Sequence, residues 1–253
     1  LSYLADPPQD QTASIHMAMM LNEYRAGAFN ISNAGDVKSV AALKLTGLPG
    51  GDNPGYITVH EVAWTDTNAG LPVAAALPEA RREGDAYQIS VPAGMTRQVW
   101  LTFHPVDIAA GTYSGEAQLQ AGENTLHVPI TLQIYPLRFP DKPRLHFGGW
   151  DYTNVIGHYE VTEQNRAKLI AHLRERFVDS PWATSAALPR GEYDASGALI
   201  KEPDTSNFDN WLELWPGSAQ YLVFASVPDS FGSWRMGTAE FDKAVQAWVT
   251  FWA

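Results

Sequence analysis

The chain has 253 residues, of which 45% are hydrophobic and 18% charged, and its formal net charge is −11. The length allows one or two domains of roughly 100–200 residues each, and the composition can bury a core. Acidic residues are in excess and no basic stripe is present, so we expect neither a nucleic-acid partner nor an anionic membrane partner. The absence of cysteine excludes disulfides and thiolate chemistry, and no run of 18 apolar residues predicts a membrane span.

The first half of the chain reads as a succession of short strands. Apolar and polar residues alternate within the runs, and Gly, Pro and Asn clusters separate them at the intervals typical of a sandwich. The predicted strands are residues 15–21, 28–33, 40–45, 56–64, 98–103, 115–120 and 126–135. Helical periodicity is absent, so the sequence predicts an Ig-like β-sandwich domain over residues 1–140.

The pattern changes between Pro136 and Pro143. Residues 1–140 hold 11 of the 29 aromatic residues, and residues 141–253 hold the other 18. After this point strands alternate with loops and helices. We therefore expect a multidomain chain of the β plus α/β class, with its domain boundary near residue 140.

Three strand–loop–helix units follow the boundary. The predicted strands are residues 144–150, 182–188 and 221–225, and the predicted helices open at Thr162, at residue 208 and at Thr238. Repeated units of this kind favour a parallel sheet, and the long connections after each strand favour a (β/α)8 barrel. Such a barrel takes about 250 residues, so residues 141–253 are expected to be its first three units, incomplete at the C-terminus.

The last helix carries an apolar stripe that reaches the final residues without a capping Gly or Asn. We expect its Trp248 and Trp252 to face a surface that these residues alone do not cover. The missing cover would be the remaining barrel segment or a second chain. At the other end, residues 1–8 lack the basic and apolar regions of a signal peptide, which either an earlier removal of the signal or a start at a proteolytic boundary would explain.

Four segments of the first half resemble motifs of a known family. They are residues 22–29, which contain Asn-Glu-Tyr, residues 100–107, residues 110–115 with the pattern Gly-x-Tyr-x-Gly, and the exit strand at residues 135–140. Together they resemble the N-terminal sandwich of the family-123 glycoside hydrolases and of related uncharacterised bacterial proteins, in which a (β/α)8 barrel follows. Within these motifs we expect Tyr113 to pack on the sandwich and its flanking glycines to supply turn geometry.

The resemblance implies a hydrolase whose acid is the Glu of an adjacent Asp-Glu pair, with the substrate's own acetamido group as nucleophile. This sequence contains no Asp-Glu dipeptide, so those residues cannot be assigned here and the catalytic acids are expected outside this chain. Phosphate loops, nucleophile elbows and metal-ligand spacings are also absent. We therefore predict no cofactor and no metal site.

A partial sugar-binding wall is nevertheless predicted on the loops that follow the strands. A pyranose has an apolar C–H face that suits an aromatic ring and a rim of hydroxyls that suits carboxylates. The candidate substrate-binding residues are Trp150, Asp151, Tyr152, Asp229 and Trp234, with Glu192 and Asp194 as weaker candidates. The alternative is that the aromatics belong to the core and the acids are solvated or cap helices. Trp211, Trp215, Trp248 and Trp252 sit at helical spacing and are expected in a core or interface.

Two functions from different classes remain open at this stage. The first is a glycoside hydrolase of an exported bacterial system, periplasmic or secreted, acting on an oligosaccharide or polysaccharide. The second is a non-catalytic carbohydrate-binding or structural sandwich protein with a degenerate barrel. A neighbouring pair of acids on a later barrel loop would favour the enzyme.

Overall fold

The structure is a computed structural model that describes residues 12–253. The signal-peptide question at residues 1–8 therefore falls outside the described residues. The chain divides into two compact units, one ending at Asp141 and the other running over Lys142–Ala253. Each unit is described by itself.

The first unit contains only strands as regular elements among its described residues. They are β1 (Ile15–Leu21), β2 (Arg25–Ser32), β3 (Ser39–Thr46), β4 (Ile57–Glu61), β5 (Ala63–Thr65), β6 (Val73–Ala76), β7 (Arg81–Glu83), β8 (Ala86–Val91), β9 (Thr96–Phe103), β10 (Gly111–Ala121) and β11 (Asn124–Arg138). The predicted strands are present, except that the run at residues 56–64 is divided into β4 and β5, which belong to different sheets. β6 and β7 were not predicted, because Ala and charged residues weaken the alternation there. β8 was also not predicted, although its Tyr87, Ile89 and Val91 alternate with Gln88 and Ser90.

Two sheets make a sandwich-like arrangement. The larger has the order β1-β11-β10-β3-β8-β7, and the smaller has the order β2-β9-β4, with β5 and β6 as a separate ribbon. β1 runs parallel to β11, whereas the other neighbours in both sheets are antiparallel. Alternate side chains of both sheets, including Leu43, Leu101 and Leu132, form one buried core.

In the Gly-x-Tyr-x-Gly motif the expected role of the tyrosine is confirmed, but the expected role of the glycines is wrong. Tyr113 packs on the core and donates a hydrogen bond to the carbonyl of Ala109, which confirms its structural role. The glycines do not form a turn, since Gly111 and Gly115 both lie within β10. A Cβ at Gly115 would come within 2.5 Å of the carbonyl oxygen of Thr46, so this glycine allows β10 to approach β3 closely.

Asn22, the first residue of the Asn-Glu-Tyr segment, has a structural role in the turn between β1 and β2. It is 8% exposed and has a φ of 60°, a conformation that Asn tolerates better than most residues. Its side-chain amide donates to the carbonyl of Phe139 and to Asp141 Oδ1. The turn between β1 and β2 is thereby tied to the end of the sandwich unit.

The second unit alternates strands and helices. Its elements are β12 (Phe147–Gly149), a 3-10 helix (His158–Glu160), α1 (Arg166–Glu175), β13 (Val178–Ala183), a 3-10 helix (Ser185–Ala187), β14 (Glu192–Tyr193), β15 (Leu199–Lys201), α2 (Ser206–Leu214), β16 (Leu222–Val223), β17 (Ser230–Phe231), β18 (Trp234–Arg235) and α3 (Ala239–Trp252). β14 pairs with β15 and β17 with β18 as short antiparallel ribbons.

Strands β12, β13 and β16 form a parallel sheet in that order, and a helix follows each of them. The expected βα repetition is therefore present. These three units make an open sheet and do not by themselves form a closed barrel. Among residues 12–253, no helix is long and apolar enough to cross a lipid bilayer.

The predicted second strand at residues 182–188 is wrong in its bounds, since β13 covers Val178–Ala183. Thr184 ends the strand, because its side-chain oxygen accepts a hydrogen bond from the backbone N–H of Ala186 and caps the following 3-10 helix. The apolar run that suggested a strand is therefore shared between a strand end and a helical turn.

Thr162 was expected to cap the helix, but α1 begins at Arg166 with Asn165 at the N-cap position, so Thr162 caps only the turn that precedes α1. Its Oγ1 accepts from the backbone N–H of Asn165, and the Asn165 side chain accepts from the backbone N–H of Thr162. This reciprocal pair resembles a capping box one turn before α1. Thr238, in contrast, is the N-cap of α3, and its side chain accepts from the backbone N–H of Phe241.

Tryptophans dominate the core of the second unit. Trp211 and Trp215 are 1% and 0% exposed, and both pack with Ile170 and Ala183 in one cluster. Trp248 is 6% exposed and belongs to a second cluster. The expectation that Trp248 faces an uncovered surface is therefore wrong. Its indole N–H, like that of Trp252, donates to the carbonyl of Pro189, so the loop after β13 contacts both rings, although Trp252 is only partly buried.

Candidate functional site

The carboxyl ends of the three parallel strands meet at one edge of the sheet. Trp150 follows β12, Thr184 follows β13 and Phe224 follows β16. All three line a cavity of about 440 Å³. We call this cavity the aromatic cleft, and its lining residues are Trp150, Tyr152, His158, Tyr159, Thr184, Ser185 and Phe224. Ligands of parallel sheets bind at this edge.

Trp150 is the central ring of the cleft. Its ring centroid lies 5.1 Å from that of Phe224, 5.3 Å from that of Trp182 and 5.6 Å from that of Tyr152. The side chain is held by these contacts but stays 44% exposed. A large ring fixed on one side and open on the other is suited to stacking against an apolar ligand face.

Tyr152 extends the aromatic surface towards the loop that precedes α1. It stacks on Tyr159 at 5.4 Å with an interplanar angle of 19°, and it contacts His158 at 5.3 Å. Tyr159 is 72% exposed. The cleft therefore presents several connected rings rather than a single one.

The backbone of this loop is unusual. Tyr152, Tyr159 and Glu160 have φ values of 52°, 50° and 56°, in the left-handed region that bulky residues rarely adopt. Each such residue costs about 1–3 kcal/mol, and strain of this kind clusters at functional sites. Three such residues therefore lie in the loop between β12 and α1, and two of them, Tyr152 and Tyr159, line the cleft.

Asp151 lies beneath the cleft and not on its lining. Its Oδ2 accepts a hydrogen bond of 2.7 Å from the backbone N–H of Trp182, and its Oδ1 accepts from the N–H and the hydroxyl of Thr153 at 2.9 and 2.6 Å. Thr153 is fully buried and accepts in turn from the indole N–H of Trp215. Asp151 thus connects the loop after β12 to β13 and to the end of α2.

Asn154 makes a second link of the same kind. Its amide nitrogen donates to Thr184 Oγ1 at 3.1 Å, and its amide oxygen accepts from the backbone N–H of Thr184 at 3.0 Å. Asn154 is 6% exposed. The hydrogen bonds of Asp151 and Asn154 together hold the loop after β12 against the end of β13, and so fix the positions of Trp150 and Thr184 at the edge of the cleft.

Asp229 and Trp234 do not line the aromatic cleft. Trp234 lies in β18 and packs against Tyr193 at 6.4 Å, in the cluster formed with α3. Asp229 is exposed, and its backbone carbonyl accepts from the N–H of Met236. The structure therefore brings Trp150 and Tyr152 together and separates them from the other predicted pair.

Glu192 and Asp194 stabilise the loop after β13. Glu192 forms a 2.6 Å ion pair with Lys201 across β14 and β15. Asp194 Oδ1 accepts from the hydroxyl and N–H of Ser196 and from the N–H of Ala198, and these bonds hold the pKa of its carboxyl below the ordinary value. The hydrogen bonds of both acids are made within the loop itself.

Sequence reasoning missed Tyr159 and Phe224. Phe224 could have been found, because it directly follows a predicted strand just as Trp150 does. Tyr159 carries no such signal, since a left-handed turn brings it back onto Tyr152. The cleft lining within residues 12–253 contains no carboxylate, and no group of three or more possible metal-binding side chains converges in this part of the chain.

Comparisons with known proteins identify a fold relationship. No family model and no curated protein matches the sequence. The structure is similar to a family 123 glycoside hydrolase from Clostridium perfringens, studied for glycolipid glycan hydrolysis, with a TM-score of 0.57 and 14% sequence identity. The match covers 81% of this chain and 41% of that one, so the chain spans about two fifths of that enzyme. At this identity the likeness shows a distant structural relationship and the fold alone.

Two pilus proteins give weaker matches. The fimbrial subunit MyfA of Yersinia enterocolitica aligns with 49% of this chain and 93% of its own, at 13% identity and a TM-score of 0.29. The CooA pilin of enterotoxigenic Escherichia coli aligns with 49% of this chain and 92% of its own, at 12% identity and a TM-score of 0.25. These scores carry no functional argument.

Proposed function

We propose that this chain is a portion of a glycoside hydrolase-like protein that binds neutral carbohydrate in the aromatic cleft. The observation that carries the proposal is the set of half-exposed rings around Trp150 at the carboxyl edge of the parallel sheet. The structural similarity to an enzyme studied for glycolipid glycan hydrolysis also supports carbohydrate binding.

The chemistry of the lining matches a sugar better than other small ligands. The rings offer flat apolar surface to the C–H face of a pyranose, and Thr184 and Ser185 offer hydroxyls to its rim. No charged carboxylate, Lys or Arg lines the cleft within the described residues. A neutral ligand in the cleft therefore does not cover an unpaired Asp, Glu, Lys or Arg side chain, and no free energy is lost in desolvating one. The volume of about 440 Å³ is in the range of small-molecule sites.

The catalytic acids of the proposed hydrolase are not assigned to this chain. General acid–base hydrolysis of a glycoside needs carboxyl groups at the scissile bond, and the lining described here has none. They would come from a remaining barrel segment or a second chain. The proposal includes a periplasmic or secreted location, which fractionation of the producing cell would test.

A non-catalytic carbohydrate-binding protein is the second candidate. The observation that favours it is that Asp151, which lies between the lining residues Trp150 and Tyr152 in the sequence, uses both carboxylate oxygens in hydrogen bonds within its own chain. A purely structural role for the second unit would leave the strained aromatic loop without an explanation.

The binding proposal is tested by titrating neutral oligosaccharides and following heat release by calorimetry. Replacing Trp150 by Ala removes the central ring. About 44% of the residue is exposed, which is roughly 110 Å² of a side chain of about 250 Å². A sugar on one face covers about half of that, worth roughly 1.4 kcal/mol at 25 cal/mol per Å². Trp150→Ala should therefore weaken binding about tenfold.

The matched control is Tyr135→Ala, which removes an aromatic ring of similar exposure, 41%, from the sandwich unit. Its affinity should be unchanged. Binding that survives Trp150→Ala at full strength would contradict the assignment of the cleft. Incubation of the complete protein with the oligosaccharide that it binds separates the two candidates. Hydrolysis would indicate the enzyme, and binding without hydrolysis would indicate the non-catalytic carbohydrate-binding protein.

A further inference from the structure

We propose that Thr184 determines the specificity of the aromatic cleft by donating its hydroxyl proton to an oxygen atom of the ligand. This inference rests on the proposed function and adds to it the direction of one hydrogen bond. Thr184 lines the cleft directly after β13 and is only partly buried. Hydrogen bonds within the chain use both lone pairs of its hydroxyl oxygen, which leaves only the proton for a ligand.

Asn154 supplies the first of the two hydrogen bonds to this hydroxyl. The backbone N–H of Thr184 can only donate, so the Asn154 side-chain atom at 3.0 Å from it is the amide oxygen. The NH₂ group of the same amide then faces Thr184 Oγ1 at 3.1 Å and donates to it. Because Asn154 is 6% exposed, the amide is held in this orientation away from solvent.

The backbone N–H of Ala186 supplies the second hydrogen bond. Thr184 is the N-cap of the 3-10 helix Ser185–Ala187, and its Oγ1 accepts from this N–H at 3.3 Å. A backbone N–H is a donor only, so the direction of this bond is fixed as well. A hydroxyl oxygen has two lone pairs and one proton. Both lone pairs are therefore used, and residues 12–253 provide no acceptor for the proton.

The hydroxyl of Ser185, the next residue in the cleft lining, is not restricted in this way. Ser185 is exposed, and its hydroxyl has no hydrogen-bond partner among the residues that the structure describes. It can therefore rotate to donate or to accept. Of the two hydroxyls, only that of Thr184 distinguishes an acceptor on the ligand from a donor.

The ligand group that meets Thr184 needs a lone pair and needs no proton. The hydroxyl, ring and glycosidic oxygens of a neutral sugar all meet this requirement. A protonated amine has three N–H donors and no acceptor, so it would place a donor against a donor. The cleft therefore favours a neutral sugar oxygen over an ammonium group at this point.

The first part of the test measures affinities for lactose, cellobiose and maltose by calorimetry. The whole chain is compared with variants whose fold is checked by circular dichroism. Thr184→Val removes the O–H group, and the loss of one hydrogen bond to a neutral ligand should weaken binding about threefold to tenfold. Thr184→Ser keeps the O–H group and should stay within about twofold of the unsubstituted chain.

Asn154→Asp tests the direction of the hydrogen bond while leaving Thr184 in place. A carboxylate oxygen replaces the NH₂ group, so the Thr184 proton turns towards it and a charge-assisted hydrogen bond holds it there. The backbone N–H of Thr184 keeps its acceptor. The affinity should fall as it does in Thr184→Val. The matched control is Asn210→Asp, the same change at an exposed position of α2, which should leave the affinity unchanged.

A measurement on the unsubstituted chain makes the test independent of whether the variants fold. A hydroxyl that donates a hydrogen bond becomes a stronger acceptor. On saturation with the disaccharide, the ¹H–¹⁵N signals of the Asn154 side-chain amide and of the Ala186 backbone N–H should therefore move downfield. A hydroxyl that accepted from the ligand would have to release one of these two donors, and the signal of that donor would move upfield.

Three results would overturn this inference alone. They are unchanged or upfield-shifted signals of the two donors, affinities within about twofold of the unsubstituted chain in both Thr184→Val and Asn154→Asp, and a loss of affinity in only one of these variants. In each case Trp150→Ala still weakens binding, so the proposed function stands. Absence of Trp150-dependent binding for all of the disaccharides would instead contradict the proposed function, and this inference with it.

Discussion

Replacing Asp151 tests whether its carboxylate stabilises the carboxyl edge of the parallel sheet or binds a ligand there. Sequence reasoning made it a ligand for sugar hydroxyls, whereas its observed contacts are with the backbone of Trp182 and with Thr153. We expect Asp151→Asn to act mainly on stability. One side of an amide is an NH₂ group, so it must face either the backbone N–H of Trp182 or that of Thr153, and a donor facing a donor makes no hydrogen bond.

The size of the effect follows from the hydrogen bonds that the substitution removes. A hydrogen bond to a charged group contributes about 1.5–3 kcal/mol, and Thr153, which is fully buried, cannot turn to water instead. We expect a loss of about 2 kcal/mol in the free energy of unfolding of the second unit. With a urea dependence of about 1–3 kcal/mol per molar, the unfolding midpoint should fall by about 1 M.

Tryptophan fluorescence is the suitable assay, because seven of the nine tryptophans lie beyond residue 141 and report the second unit. The matched control is Asp229→Asn, the same change at an exposed position. Its midpoint should move by no more than the equivalent of about 0.5 kcal/mol. Equal shifts for the two variants would refute the reasoning. So would an unchanged midpoint for Asp151→Asn together with a tenfold loss of oligosaccharide affinity, since Asp151 would then bind the ligand.

Three further predictions concern the scaffold. Gly148→Ala places a Cβ against a backbone carbonyl of β13 and should cost at least about 2 kcal/mol by urea unfolding, whereas Gly149→Ala, with open space around its Cβ, should stay within about 0.5 kcal/mol. Gly115→Ala should destabilise the sandwich unit for the same reason, seen as a lower midpoint in circular dichroism. Burial opposes ionisation of Asp179, but hydrogen bonds led by that from His146 hold the pKa of its carboxyl below the ordinary value. Its stabilisation should therefore be present at neutral pH and lost as the pH falls below about 4, and Asp179→Asn should flatten the pH dependence of the midpoint there. A midpoint with the same acid dependence in that variant would contradict this assignment.

The sequence alone determined the local elements and their succession. Alternating residues predicted the strands of the sandwich, and Thr238 signalled where α3 begins, because period and capping depend on neighbours in the chain. Thr162 was less accurate, since it lies one turn before α1. The rule that ligands meet the carboxyl ends of parallel strands also singled out Trp150 and Tyr152, which line the cleft. These inferences need only the spacing of residues and the direction of strands.

Only the tertiary structure decided which side chains face the ligand and which serve the fold. Asp151 and Trp150 are adjacent in sequence, yet one is bound to β13 and the other stands open at the rim. Trp234 looked equivalent to Trp150 but packs on Tyr193 with α3. Trp248 looked uncovered, and the loop after β13 buries it. A hydrogen-bond partner or covering ring comes from a segment tens of residues away, and spacing along the chain does not specify that distance in space.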